Sequence, residues 1–137
     1  MMLRLLCLCL IHLPALAGDL DAHSKKGLAD TQKMLRSSSE RSKAIKGDKQ
    51  AEDVDAKVDA LAGSDKNKNE IYDLSAGILE KVAAEAKGDP DKMQTLLQEA
   101  QANPQKFFDK YFSAEHKARV RGLAREIEKN GSAGAKP

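Results

Sequence analysis

The sequence predicts an all-α protein: a small bundle of short helices over residues 67–130, preceded by a polar helical or partly disordered arm. Three observations carry that prediction. Ala and Lys are abundant while β-branched residues are scattered, a mixture that suits helices far better than strands. Apolar residues recur at steps of three and four, not two. Asp, Asn, Ser, Pro and Gly stand at the ends of the periodic stretches, where helix caps and stops require them. At 137 residues the chain is one domain's worth. Aromatics make up 4% and Trp is absent, so the core must rest on Leu, Ile, Val, Ala and a few Phe.

The N-terminal MMLRLLCLCLIHLPALAG reads as a secretory signal peptide over residues 1–17. Arg4 precedes an apolar run from Leu5 to Leu13, and Ala15-Leu16-Ala17 puts small residues where signal peptidase needs them. At about 1.5 Å per residue the run is too short to span a bilayer. No Cys follows the small residues, as a lipoprotein would require. The two cysteines, Cys7 and Cys9, both fall in this segment. The mature chain, starting near Gly18, is therefore expected to lack a disulfide, a thiolate nucleophile and any Cys-based metal site. A Cys-free, Lys/Ala-rich helical chain fits export to a bacterial periplasm or beyond better than a small secreted animal domain, which disulfides usually staple.

Residues 18–47 are polar. Leu20, Leu28, Leu35 and Ile45 are too widely spaced for a continuous stripe, and Ser37–Ser39 form a soft spot. A weakly structured arm is expected there. Residues 48–62 form an amphipathic helix with a narrow seam of Ala51, Val54, Val58 and Leu61, ended by Gly63-Ser64-Asp65. From residue 67 a broader face runs through Ile71, Leu74, Ile78, Leu79, Val82, Ala83 and Ala86, and Gly88 stops it. Asp89-Pro90 starts a helix carrying Met93, Leu96, Leu97 and Ala100. Asn103-Pro104 repeats the device before a short aromatic helix. Ser113 caps the last helix, whose apolar face is Val120, Leu123, Ala124 and Ile127. Gly131 is expected to end it, leaving 131–137 as a flexible tail. A core from about sixty residues is marginal, so the 48–62 seam is expected to pack on it.

Chemistry-bearing patterns are few. Lys+Arg total 23 and Asp+Glu 21, so the whole chain gives no signature of nucleic-acid binding, and no nucleic-acid partner is expected. His23 and His116 lie in different segments, without the spacing of a zinc site. Asp65-Lys66-Asn67-Lys68-Asn69 opens like a calcium loop, yet its sixth position is Glu70 and its twelfth Ala76. It reads instead as a polar turn whose Asp or Asn side chains cap the helix that follows. No nucleophile elbow, P-loop or dinucleotide turn appears. The expectation is a non-enzyme with no catalytic residues, cofactor or metal.

Two clusters are candidates for partner binding. Phe107, Phe108, Tyr111 and Phe112 share one helical face, as core anchors or as a docking patch. Lys117, Arg121, Arg125 and Lys129 form a basic ridge at steps of four, where like charges repel by roughly 0.2–0.5 kcal/mol per pair. Residues 48–70 carry seven acids and four bases and 71–103 six acids and three bases, so the ridge is expected to be balanced within the protein or solvated. The alternative is an external anionic surface. The expected function is an exported, non-catalytic helical binding or structural module acting on another protein in the envelope or outside the cell, as adaptor, inhibitor or chaperone-like partner. A peripheral binder of anionic lipid or cell-wall polymer through the basic helix is the alternative, and an unrecognised small hydrolase a second.

Overall fold

The computed structural model describes residues 22–134. The segment expected to be a signal peptide, the start of the arm and residues 135–137 of the expected tail lie outside the described residues. Seven helices follow one another in these: α1 (Ala22–Arg36), α2 (Ser38–Ile45), α3 (Lys49–Ala62), α4 (Asp65–Ala86), α5 (Pro90–Ala102), α6 (Pro104–Tyr111) and α7 (Ala114–Gly134). Among the described residues there is no strand.

The helix ends are set by side chains next to them. Asp48 accepts from the amides of Gln50 and Ala51 at 3.0 and 3.1 Å and opens α3. Asp89 and Asn103 accept from the amides of Lys92 and Lys106, each with Pro following in the first turn. Gly63, with φ of 66°, ends α3, because a left-handed residue without a Cβ costs least there. The stop of α4 spans two left-handed residues, Lys87 and Gly88. Two ends differ from expectation. Helix α4 opens at Asp65, with Ser64 as its cap accepting from the Asn67 amide at 3.2 Å. Helix α7 runs on through Gly131 to Gly134; glycine weakens a helix by about 1 kcal/mol against Ala but does not forbid it.

Helix α4 is the central element. Ile71, Leu74, Ser75, Ala76, Ile78, Leu79 and Val82 are all buried, although these residues point round most of its circumference. Helices α1, α3, α5 and α7 pack directly on it and α6 packs on α5, supplying Leu35 from α1, Val58 and Ala62 from α3, Leu96 and Ala100 from α5, Phe107 and Phe108 from α6, and Leu123 from α7. Val58 and Ala62 are fully enclosed, so the α3 seam packs into this core.

The described part of the polar arm is helical, and it is fastened by a polar anchor that apolar periodicity does not register. Arg41 of α2 is 4% exposed. It donates to the Leu35 carbonyl at 3.0 Å and to Asn69 Oδ1 at 2.9 Å, and its guanidinium lies 3.9 Å from the Tyr72 ring centroid. Tyr72 donates its hydroxyl hydrogen to Asp55 at 2.7 Å, and Lys68 donates to the other Asp55 oxygen at 3.0 Å. Burial opposes the charge on Lys68, but hydrogen bonds and attraction from Asp55 and Asp59 outweigh it and hold its pKa above the ordinary lysine value. One network thus ties α2 and α3 to α4.

Candidate functional site

The aromatic helix splits its residues between two tasks. Phe107 and Phe108 are 2% and 5% exposed and belong to the core. Tyr111 and Phe112 are half-buried at its edge. The Phe112 ring stacks on Phe108, centroids 4.4 Å apart and planes 8° off parallel, and meets His116 edge-on at 5.8 Å. Phe107 and Phe108 are therefore core residues, while Tyr111 and Phe112 pack against the core and stay partly open to solvent.

Phe112, Tyr111 and His116 form one bank of a groove of about 420 Å³ along α4. Leu74, Gly77 and Ala84 belong to the α4 side. Gly77 lies within a helix, and a Cβ added there would meet no atom within 4 Å, so helix backbone is open to the groove. The rim is charged but paired. Arg36 bridges Asp73 at 3.4 Å and Glu80 at 2.9 Å. Arg119 donates to Glu70 at 2.6 Å and to Asp73 at 2.9 Å, which holds its guanidinium still more firmly protonated. Lys81 pairs with Glu85 at 2.8 Å and keeps that carboxyl below its usual range. Half-exposed pairs of this kind orient more than they stabilise.

Ser113 Oγ lies 2.9 Å from His116 Nδ1, a pairing reminiscent of a nucleophile and its base. Its local role is that of a cap: the same Oγ accepts from the His116 amide at 3.3 Å at the start of α7. No carboxylate is bonded to that imidazole among the described residues, and no group of three His, Cys, Asp or Glu in them could hold a metal. The Asp65–Asn69 stretch is the first turn of α4. Asn67, 1% exposed, donates to the Ala62 carbonyl at 3.0 Å. It satisfies the end of α3 and does not cap its own helix, as the sequence reading had it.

The basic ridge divides between the two expectations: Lys117 is balanced within the protein, and the other three cations are solvated. Lys117 donates to the Asp109 backbone carbonyl at 3.0 Å and pairs with its carboxylate at 3.5 Å. Gln105, then Lys117 and Arg121, hold that carboxyl below the usual range. Arg121, Arg125 and Lys129 are exposed and form no ion pair with the described residues. Glu70, Asp73 and Glu80 of α4 are taken by Arg119 and Arg36, which the sequence reading did not single out. The reason is helical geometry. Arg119 flanks the buried Leu123 side of α7, whereas steps of four from Arg121 drift about 40° each along the opposite side. An arginine bordering the apolar face was the available signal for Arg119; Arg36 and Gly77 carried none. No helix among the described residues is long and apolar enough to cross a membrane. Comparison with protein-family models, curated proteins and solved structures finds no match to the chain.

Proposed function

We propose that the chain is an exported, non-catalytic helical module that acts through protein contacts, as an adaptor, inhibitor or chaperone-like partner. The observation that supports this reading is the groove beside α4, where half-buried Tyr111 and Phe112 face bare helix backbone at Gly77. Interface energy concentrates in a few residues, and Tyr is among the types enriched in them. Open glycine backbone lets a partner segment approach closely. The paired rim would set orientation while adding little net attraction.

Filling the groove tests the reading. Gly77→Gln adds a Cβ that meets no atom within 4 Å and extends its flexible amide into the open groove, so folding is expected to survive. Affinity capture from the parent cell envelope should recover a partner protein with wild type and lose it with this variant. Equal recovery by both would overturn the assignment of the groove. Export is tested separately: intact mass of the protein recovered outside the inner compartment should show loss of about seventeen N-terminal residues, and retention of Met1 would contradict it.

A further inference from the structure

We infer that the exported chain carries an N-linked oligosaccharide on Asn130. The inference rests on the export reading and is independent of the groove. Asn130-Gly131-Ser132 is an Asn-x-Ser triplet without Pro at its centre, the acceptor pattern of N-glycosylation in secreted proteins. Transferases of the bacterial type also read an acidic side chain two residues before the acceptor, and Glu128 stands there. Asn67, Asn69 and Asn103, the chain's other asparagines, have Asn69, Ile71 and Gln105 where the pattern needs Ser or Thr.

The fold gives those three asparagines internal tasks. Asn67 donates to the Ala62 carbonyl at 3.0 Å, Asn69 accepts from Arg41 at 2.9 Å, and Asn103 caps α6. Asn130 is exposed, about one turn before α7 ends at Gly134. Asn and Gly are both poor helix formers, so the pair weakens α7 there. An acceptor amide has to leave the helix to reach a transferase, and here the opening is small. Only the last turn of backbone bonds is broken. Glu128, Lys129 and Asn130 are all exposed already, so freeing them uncovers no buried side chain of their own. The site lies about 16 Å along α7 from Arg119 at the groove, beside the α3–α4 turn at Gly63. A saccharide there leaves Tyr111 and Phe112 open.

The transfer balances without oxidant or reductant. The Asn130 side-chain nitrogen attacks the anomeric carbon of a polyprenyl-diphosphate-linked oligosaccharide. The nitrogen–carbon bond forms and the carbon–oxygen bond to the diphosphate breaks. The lipid diphosphate leaves with the electron pair, and the amide gives one proton to the transferase.

The test is mass spectrometry of the chain recovered from outside the inner compartment of its parent cell. Trypsin cleaves after Lys129 and releases residues 130–137, a peptide in which Asn130 is the one asparagine. In wild type this peptide is expected to carry added mass in whole saccharide units, and the intact chain the same increment. Asn130→Gln should lose the increment, with unchanged circular dichroism because the position is exposed. Ser132→Ala should lose it too, and Ser132→Thr should keep it. An unmodified peptide from a chain that has lost its N-terminal segment would overturn the inference and leave export standing. An unmodified chain that retains Met1 would overturn both. A saccharide that persists in Asn130→Gln, or disappears in Ser132→Thr, would overturn the assignment of the site.

Discussion

Arg41 shows how one side chain fastens a segment that its neighbours in sequence leave unexplained. It is buried with its charge, and four different groups receive it: a backbone carbonyl, an amide oxygen, an aromatic face and, at 3.9 Å, the Asp55 carboxylate. Arg41→Ala should cost about 2–3 kcal/mol, because it leaves the Leu35 carbonyl buried without its partner and takes the nearby cation from Asp55. Arg41→Lys should recover only part of that, since a single ammonium cannot reproduce a planar fork stacked on a ring. Urea midpoints measure both; a loss under about 1 kcal/mol for the Ala variant would mean that the anchor lies elsewhere. Glycines give a second residue-scale test, because one substitution should act with opposite signs at two places. Gly77→Ala should stabilise by up to about 1 kcal/mol, as helical backbone gains a better helix former without a clash. Gly63→Ala should destabilise, since its φ of 66° strains any residue with a Cβ.

Among elements, α6 and the α1–α2 arm divide the task of closing the core around α4. The short α6 is held by what it buries. Phe108→Ala should cost about 3–5 kcal/mol, the penalty of an emptied aromatic site, and calorimetry should show a correspondingly lower midpoint. A variant of unchanged stability that lost a partner would turn Phe108 into a docking residue. The arm is held by less apolar surface, with Leu35 buried and Leu28 and Met34 packed at its side. Its removal also strips Arg41 from Asn69 and Tyr72. A chain beginning at Asp48 is therefore expected to unfold at lower urea than the full chain. Equal midpoints would mean that the C-terminal helices are self-sufficient.

For the whole molecule, the titration of its paired groups sets where folding is strongest. The Lys68 pKa is raised in the fold, so its contribution is full below the ordinary value of 10.5 and is lost as pH rises through the folded value. The stability gap between wild type and Lys68→Met should therefore be constant around neutrality and shrink in strong alkali. Glu85 and Asp109 act at the other limb. Their pKa values are lowered, so what they contribute is present above the usual carboxylate range and lost as pH falls through the folded values. Asp109 is exposed and Glu85 half-exposed, and the acid effect is expected to be small. Denaturation midpoints of wild type and Lys68→Met across pH check the argument; a gap that persists unchanged beyond the lysine range would refute it.

What the sequence determined by itself is the helical class and most of the helix ends. Asp48, Asp89, Asn103 and Ser113 cap amides two or three residues away, and Pro90, Pro104 and Gly63 act on their own backbone. Such effects operate within one turn, so a single sequence displays both partners side by side. The apolar faces of α3 to α7 were legible for the same reason, because 3.6-residue periodicity repeats locally. Only the tertiary structure decided which polar groups meet. Arg41 and Asn69 are 28 residues apart, Arg119 and Asp73 46. Nothing in the intervening sequence indicates that they face each other. The groove is likewise a product of assembly, since its walls come from α4 and the α6–α7 corner and Gly77 is one glycine among nine until those elements pack. Ion pairing follows from where packing sends each face of a helix, and the exposed ridge of α7 was decided in the same way: the buried Leu123 side took the acids, and Arg121, Arg125 and Lys129 were left to water.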